Sequence, residues 1–177
     1  AGHRRVGRAA GDRLGRRPVK HLPKHLRPRW RYLAVELSGW PDADVDRSSF
    51  QRECWFAAQN LLGDVGSAEV DLQVLGFEFA DGAGSAVVRT RRESVDEARA
   101  VLACIDAVDG TPVGLRIRGV SGTVRACEEK YLHGRTEDPD QRHVVFENAE
   151  RRAVRRDGNV DVRVDEAFTG ATDLDLE

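Results

Sequence analysis

At 177 residues, with 40% hydrophobic and 33% charged side chains, the chain has the length of one domain with tails. No apolar run approaches the roughly 18 residues that cross a bilayer, and no secretory signal is visible, so a helical membrane protein is excluded and the cytoplasm is expected. The net charge of −2 conceals a split: eleven Lys/Arg stand against one acid, Asp12, up to Arg31, and seventeen against twenty-nine beyond it.

Residues 1–19 are rich in Gly, Ala and Arg and lack an apolar period. They cannot offset ordering entropy by burial and are expected to be a disordered basic leader. Residues 20–31 (KHLPKHLRPRWR) interleave basic side chains with Pro23 and Pro28, which oppose a continuous helix. RYLAVEL (31–37) alternates Leu33, Val35 and Leu37 with polar neighbours and reads as a half-buried strand, closed by Trp40 and Pro41. Ser48 and Gln51 form a capping-box pattern, and Phe50, Cys54, Ala57, Ala58 and Leu61 mark one face of a helix that Gly63 would end.

VDLQVLGFEF (70–79) switches the phase of its apolar positions beside Gly76, which predicts a β-bulge. DGAG (81–84) is a hairpin turn leading into the strand 85–92. Ser94 and Glu97 suggest a second capping box, and the apolar spacing from Val95 to Val108 predicts a second helix, stopped near Gly110. VGLRIRG (113–119) is a fourth strand, with Leu115 and Ile117 on one face and Arg116 and Arg118 on the other. GVSGTVRACEEKYL (119–132) leaves that strand into a short helix with Val124, Cys127 and Tyr131 on one side. A weak helix is expected over 142–156, a short strand over 160–164, and a disordered acidic tail after it.

The order β-α-β-β-α-β is the ferredoxin-like α+β plan: a four-stranded antiparallel sheet, first and third strands central, both helices on one face. The expected divisions are a leader 1–19, a domain 20–134 and a C-terminal extension 135–177.

Three groups of residues point to chemistry. The basic arm, with Lys20, Lys24, Arg27, Arg29 and Arg31, suits a polyanion, where each neutralised phosphate releases counterions. On the uncovered sheet face Arg89 and Arg91 form one row and Arg116 and Arg118 another, with Tyr32 and Glu36 between them. This face reads either as a surface for RNA backbone or as an ordinary solvated arginine face, and the aromatic pair of an RNA-recognition sheet is missing. Ser121, Gly122, Thr123 and Arg125 open the last helix and read either as a phosphate seat or as an N-cap with Arg125 paired to Glu129.

No catalytic residue and no metal site is assigned. The histidines are scattered, no CxxC occurs, and Cys54, Cys104 and Cys127 read as small buried hydrophobes in a reducing compartment. Three lysines against twenty-five arginines, few isoleucines and an acid excess fit a salt-loving source. A GC-rich genome accounts for the Arg and Val bias equally well.

The run 119–132, following the strand that ends Leu115-Arg116-Ile117-Arg118, resembles the signature of the archaeal ribonuclease P protein component 2 family, relatives of the eukaryotic Pop-five subunit. KHLPKHLRPRWRYLAVEL (20–37), FQRECWFAAQNLLGDVGSAEVDL (50–72) and VVRTRRESVDEARAVLACI (87–105) support it. The resemblance implies a non-catalytic subunit of the ribonucleoprotein that removes the 5′ leader from precursor tRNA, with RNA as catalyst and magnesium as the RNA's cofactor rather than this chain's. It implies as partners ribonuclease P RNA, protein component 3, further protein subunits and, indirectly, precursor tRNA, and component-2–component-3 pairs that join two by two. It implies helices added at the C-terminal side, and it places Ser121, Gly122, Arg125 and Lys130 toward RNA or a partner. The alternative is a ferredoxin-like regulatory domain that binds a small molecule and no RNA.

Overall fold

The structure, a computed structural model, describes residues 27–133, 140–156, 159–165, 167–172 and 174–176. The leader 1–19 and Lys20 and Lys24 of the arm lie outside the described residues. β1 (Trp30–Gly39), β2 (Gln73–Ala80), β3 (Ala83–Arg91), β4 (Ala107–Val108) and β5 (Thr111–Ser121) form one antiparallel sheet in the order β2-β3-β1-β5-β4. β1 and β3 hold interior places, as the β-α-β-β-α-β reading requires. α1 (Arg47–Val70) and α2 (Val95–Ala103) pack on one face. Their Phe50, Cys54, Ala58, Ala98, Val101 and Leu102 meet Leu33, Val35, Leu37, Val74 and Val88 of the sheet, all of them buried. Period-two strands and period-3.6 helices thus present their apolar sides to one core.

The phase switch near Gly76 is a bulge: pairing with β3 slips between Val74 and Gly76. The Asp81–Gly82 turn has φ of 51° and 76°, the left-handed pair of a two-residue hairpin. A second bulge lies on β5, where Val35 pairs with Ile117 and Ala34 with Gly119, leaving Arg118 as the extra residue.

Several local expectations are corrected. The sheet has five strands rather than four, because Asp109 and Gly110, with φ of 48° and 76°, turn β4 back onto β5. α2 therefore ends at Ala103, although Val108 stays buried at the core. Neither capping box forms. Ser94 makes no side-chain cap, and α1 is capped by Asp46, which accepts from the Ser48 and Ser49 backbone N–H groups at 2.7 and 3.1 Å. Leu61 is 47% exposed rather than core. Gly63 falls where a helix end was expected: at φ 70° and ψ 177° it is non-helical and separates two helical stretches within α1. The resumed turns reach Val70, whose carbonyl accepts the Thr90 hydroxyl at 2.7 Å.

Gln51 takes a different part. With Arg47 and Trp55, one turn to either side, it reaches the backbone at the start of β2. The Gln51 amide donates to the Leu72 carbonyl at 3.2 Å and accepts from the Val74 N–H at 2.6 Å. The Trp55 indole donates to Leu72 at 3.0 Å and Arg47 to the Val74 carbonyl at 2.5 Å.

Hydrogen bonds from the Ser48 and Ser49 side chains and backbones hold the Asp46 carboxyl well below its ordinary value of 3.8. A depressed carboxyl stabilises the fold above the unfolded value and loses that contribution as pH falls through the folded one. Asp46→Ala should lower the melting temperature by about 2–4 °C. In paired thermal melts that difference should be full above pH 3.8 and shrink below it. A pH-independent difference would mean that Asp46 does not act through its charge.

Beyond the first sheet the chain departs most from expectation. The segment 142–156 is a hairpin, not a helix. β6 (Asp140–Phe146) and β7 (Ala149–Arg156) turn at Glu147 and Asn148, with φ of 52° and 61°. β8 (Asn159–Val164) falls on the predicted short strand, and β9 (Ala167–Ala171) completes a four-stranded antiparallel meander. Among the described residues no helix follows Leu132, so the added C-terminal helices are not found there. The tail, expected to be disordered, brings Leu176 against the small core of Ala153, Val160, Val162 and Ala171.

This second sheet rests on the far end of β1. Trp40 packs against Phe168 at 5.5 Å between ring centroids, and Arg152 and Arg163 lie over Trp40 at 5.7 and 5.6 Å. Arg156, paired with Asp161 at 3.0 Å, donates to the Gly39 carbonyl and to that of Gly82.

Candidate functional site

Directly opposed residues of an antiparallel pair share a face, so the register assigns each arginine. Trp30 opposes Arg91 and Tyr32 opposes Arg89, whereas Arg31 opposes Thr90, which is buried on the helix side. Arg89 and Arg91 therefore lie on the face away from α1 and α2, and Arg31 does not. Arg31 instead donates to the Trp30 carbonyl at 2.9 Å. Arg116 opposes Glu36 on the same outer face, and the bulged Arg118 pairs with Glu36 at 3.2 Å. Tyr32 and Glu36 thus stand between the two arginine rows, as the alternation predicts. Arg27 and Arg29 are exposed on the approach to β1.

The outer face is not bare. α3 (Val124–Cys127) continues in a π-helical turn, Glu128–Leu132, and lays Cys127 on Ala34 and Val87, with Val124, Tyr131 and Leu132 around them. Gly119 is glycine for a steric reason: a methyl there would overlap the Tyr131 ring. Gly122 has open space around it. The Thr123 hydroxyl caps α3, accepting from the Ala126 N–H at 3.2 Å. Arg125, 87% exposed, pairs with Glu129 at 2.6 Å, and the Lys130 ammonium lies 5.0 Å from the Tyr131 ring. Ser121, opposite Tyr32, ends β5. In the motif, then, Thr123 and Arg125 make the N-cap and helical pair, while Ser121, Gly122 and Lys130 line its rim.

Sequence reasoning missed Trp30 as a site residue. The Arg89 and Arg91 guanidinium carbons lie 3.9 and 4.5 Å from the centroid of its ring. The signal was there: Trp30 has the parity of Tyr32 and lies within the basic run, but only the β1–β3 register sets it against the arginines. Phe77 and Phe79 pack against the core cluster.

The thiols behave as buried hydrophobes at two of three positions. Burial pushes Cys54 up to about 12 and Cys127 up to about 11. Cys104, expected in the core, is exposed because α2 ends one residue before it. Among the described residues no group of three His, Cys, Asp or Glu is placed to hold a metal ion. Among the described residues no helix is long and apolar enough to cross a membrane.

The geometry defines an antiparallel α/β sheet protein with two helices behind the sheet and arginines gathered around aromatic rings on its outer face. The chain belongs to the Rpp14/Pop5 family, whose model matches residues 31–132, from β1 to the end of the π-helical turn. "Ribonuclease P protein component 2" of Natronomonas pharaonis is 61% identical over 158 residues, 89% of this chain and 98% of that protein. The protein of the same name from Haloarcula marismortui is 60% identical over 160 residues, 89% of this chain and 99% of its own length. That of Methanosarcina mazei is 37% identical over 114 residues, 64% of this chain and 93% of its own length. A chain in the cryo-EM structure of yeast ribonuclease MRP is similar over 63% of this chain and 83% of that one, at a TM-score of 0.44 and 16% identity.

These extents locate the second sheet in the family. An alignment of 158 residues cannot fit within residues 1–132, so the Natronomonas relative shares part of it. A protein of which 114 residues make up 93% is too short to carry the whole span 31–171. The second sheet is therefore an addition to the family's matched core.

Proposed function

We propose that this chain is the component-2 protein subunit of ribonuclease P. It binds the catalytic RNA and supports removal of the 5′ leader from precursor tRNA in the cytoplasm. The observation that carries this reading is the near full-length match to proteins of that name. In this reading the RNA performs the cleavage with magnesium, and the protein contributes a positively charged face. That face neutralises phosphates and releases their counterions. The acid excess beyond Tyr32 repels RNA elsewhere and so orients it toward the arginines and the basic arm. Protein component 3 is the direct protein partner, and two such pairs associate. We read β1–α1–β2–β3–α2–β5 as the ferredoxin-like core, with β4 as an edge addition.

The test is reconstitution of ribonuclease P from its RNA and proteins, with and without this chain, at limiting magnesium. Omitting the chain should slow precursor-tRNA cleavage and raise the magnesium required. Equal rates and equal magnesium demand in the two mixtures would sink the reading.

A further inference from the structure

We propose that Arg89, held against Trp30 with Arg91 beside it, is a seat for one phosphate of the RNA backbone. The proposal deepens the reading of the chain as an RNA-binding subunit and rests on it.

Trp30, Tyr32, Arg89 and Arg91 share the outer face through the β1–β3 register. Both guanidinium groups lie over the indole, at 3.9 and 4.5 Å. A guanidinium over an aromatic ring uses its π face there and keeps its in-plane N–H donors for an acceptor. The two arginines differ in what they find. Arg91 meets Asp71 at 3.1 Å. Arg89 meets no carboxylate among the described residues, and its Nε is buried without an acceptor.

A buried N–H lacking an acceptor is an unfavourable arrangement. It is the more notable in a body with twenty-nine acids beyond Tyr32. The buried Nε is out of a ligand's reach, but two oxygens of a phosphate would meet the outer Nη1 and Nη2 donors in a charge-assisted, bidentate contact. A nucleobase suits the place less well, because the guanidinium groups already cover the indole. The second sheet rests at Gly39 and Trp40, the opposite end of β1, α3 lies over Ala34 and Val87 further along the face, and exposed Arg27 and Arg29 adjoin the Trp30 end.

The test measures affinity of the full chain for ribonuclease P RNA across a KCl series. Arg89→Ala should bind about tenfold more weakly and lose about 0.7 to 0.9 from the log–log salt slope, one phosphate's share. Arg89→Lys should recover the slope but not the full affinity, since an ammonium lacks the planar fork. Trp30→Ala should lose affinity as Arg89→Ala does, although it removes no charge. Thermal melts confirm folding, and should Arg89→Ala fail to fold, Arg89→Lys carries the comparison.

Wild-type binding with unchanged affinity and slope in folded Arg89 variants would overturn the seat and leave the subunit reading intact. Loss of protein-partner binding with RNA affinity retained would overturn it in favour of a protein contact. A wild-type chain that neither binds the RNA nor affects cleavage would remove the subunit reading, and the seat with it.

Discussion

Phe50→Ala is expected to lower the unfolding free energy by about 3–5 kcal/mol, a large part of the roughly 5–15 kcal/mol that holds a domain folded. Phe50 is fully buried on the inner face of α1, and its ring tilts against Phe77 of β2 at 5.6 Å between centroids. Deleting it leaves a cavity where helix and sheet meet, just past the β2 bulge. Neighbours fixed by strand pairing and by the helix can fill that cavity only in part. Phe56→Ala provides the comparison: the same deletion, six residues on, at a side chain already 50% exposed. Denaturant unfolding at fixed salt should show a large loss for Phe50→Ala and a small one for Phe56→Ala. Equal losses would mean that the face of α1 has been misassigned.

Gly119→Val should dislodge Tyr131 from the outer face, at a cost of about 1–3 kcal/mol from overpacking. The ring occupies the space that any side chain at Gly119 would need. Moving it uncovers Ala34, Val87 and Cys127, which are otherwise buried together. Thiol labelling reports the change directly. In a Cys104→Ser background the remaining thiols, Cys54 and Cys127, are both buried. Gly119→Val should accelerate labelling of Cys127 and not of Cys54. Gly122→Ala, three residues on and in open space, should alter neither labelling nor stability. Unchanged Cys127 labelling in Gly119→Val would show that Tyr131 is not the lid on this cluster.

Much of the first sheet was legible because its signals agree with one another. Leu33, Val35 and Leu37 alternate, Phe50, Cys54 and Ala58 recur at helical spacing, and the phase slip at Gly76 marks the bulge. What was missed has physical reasons. β4 is only two residues long, and its Asp109–Gly110 turn sits where an amphipathic helix could also have ended. The 142–156 hairpin turns on Glu147 and Asn148, without the glycine that usually announces such a turn. Its Val144, Val145, Ala149 and Ala153 fit helical spacing as well as strand alternation, and the tertiary partner β8 decides between them. The site was partly legible. Parity alone put Arg89, Arg91, Arg116 and Arg118 on one face, but pairing register is a long-range property. Only the register set Trp30 opposite Arg91, whereas the parity Arg31 shares with Leu33 already sent it to the other side.

The stripe of Arg47, Gln51 and Trp55 bears on how this protein can associate. β2 is an outermost strand of its sheet, and such strands ordinarily offer unpaired N–H and C=O groups to any extended chain that meets them. Here side chains of α1 already occupy the Leu72 carbonyl and both backbone groups of Val74, so the helix serves as a substitute neighbour. A foreign strand cannot begin to zip onto the sheet there without first displacing three side chains. That guards this edge against strand-on-strand aggregation and leaves the faces, rather than the start of β2, as the ground for contacts within a ribonucleoprotein complex.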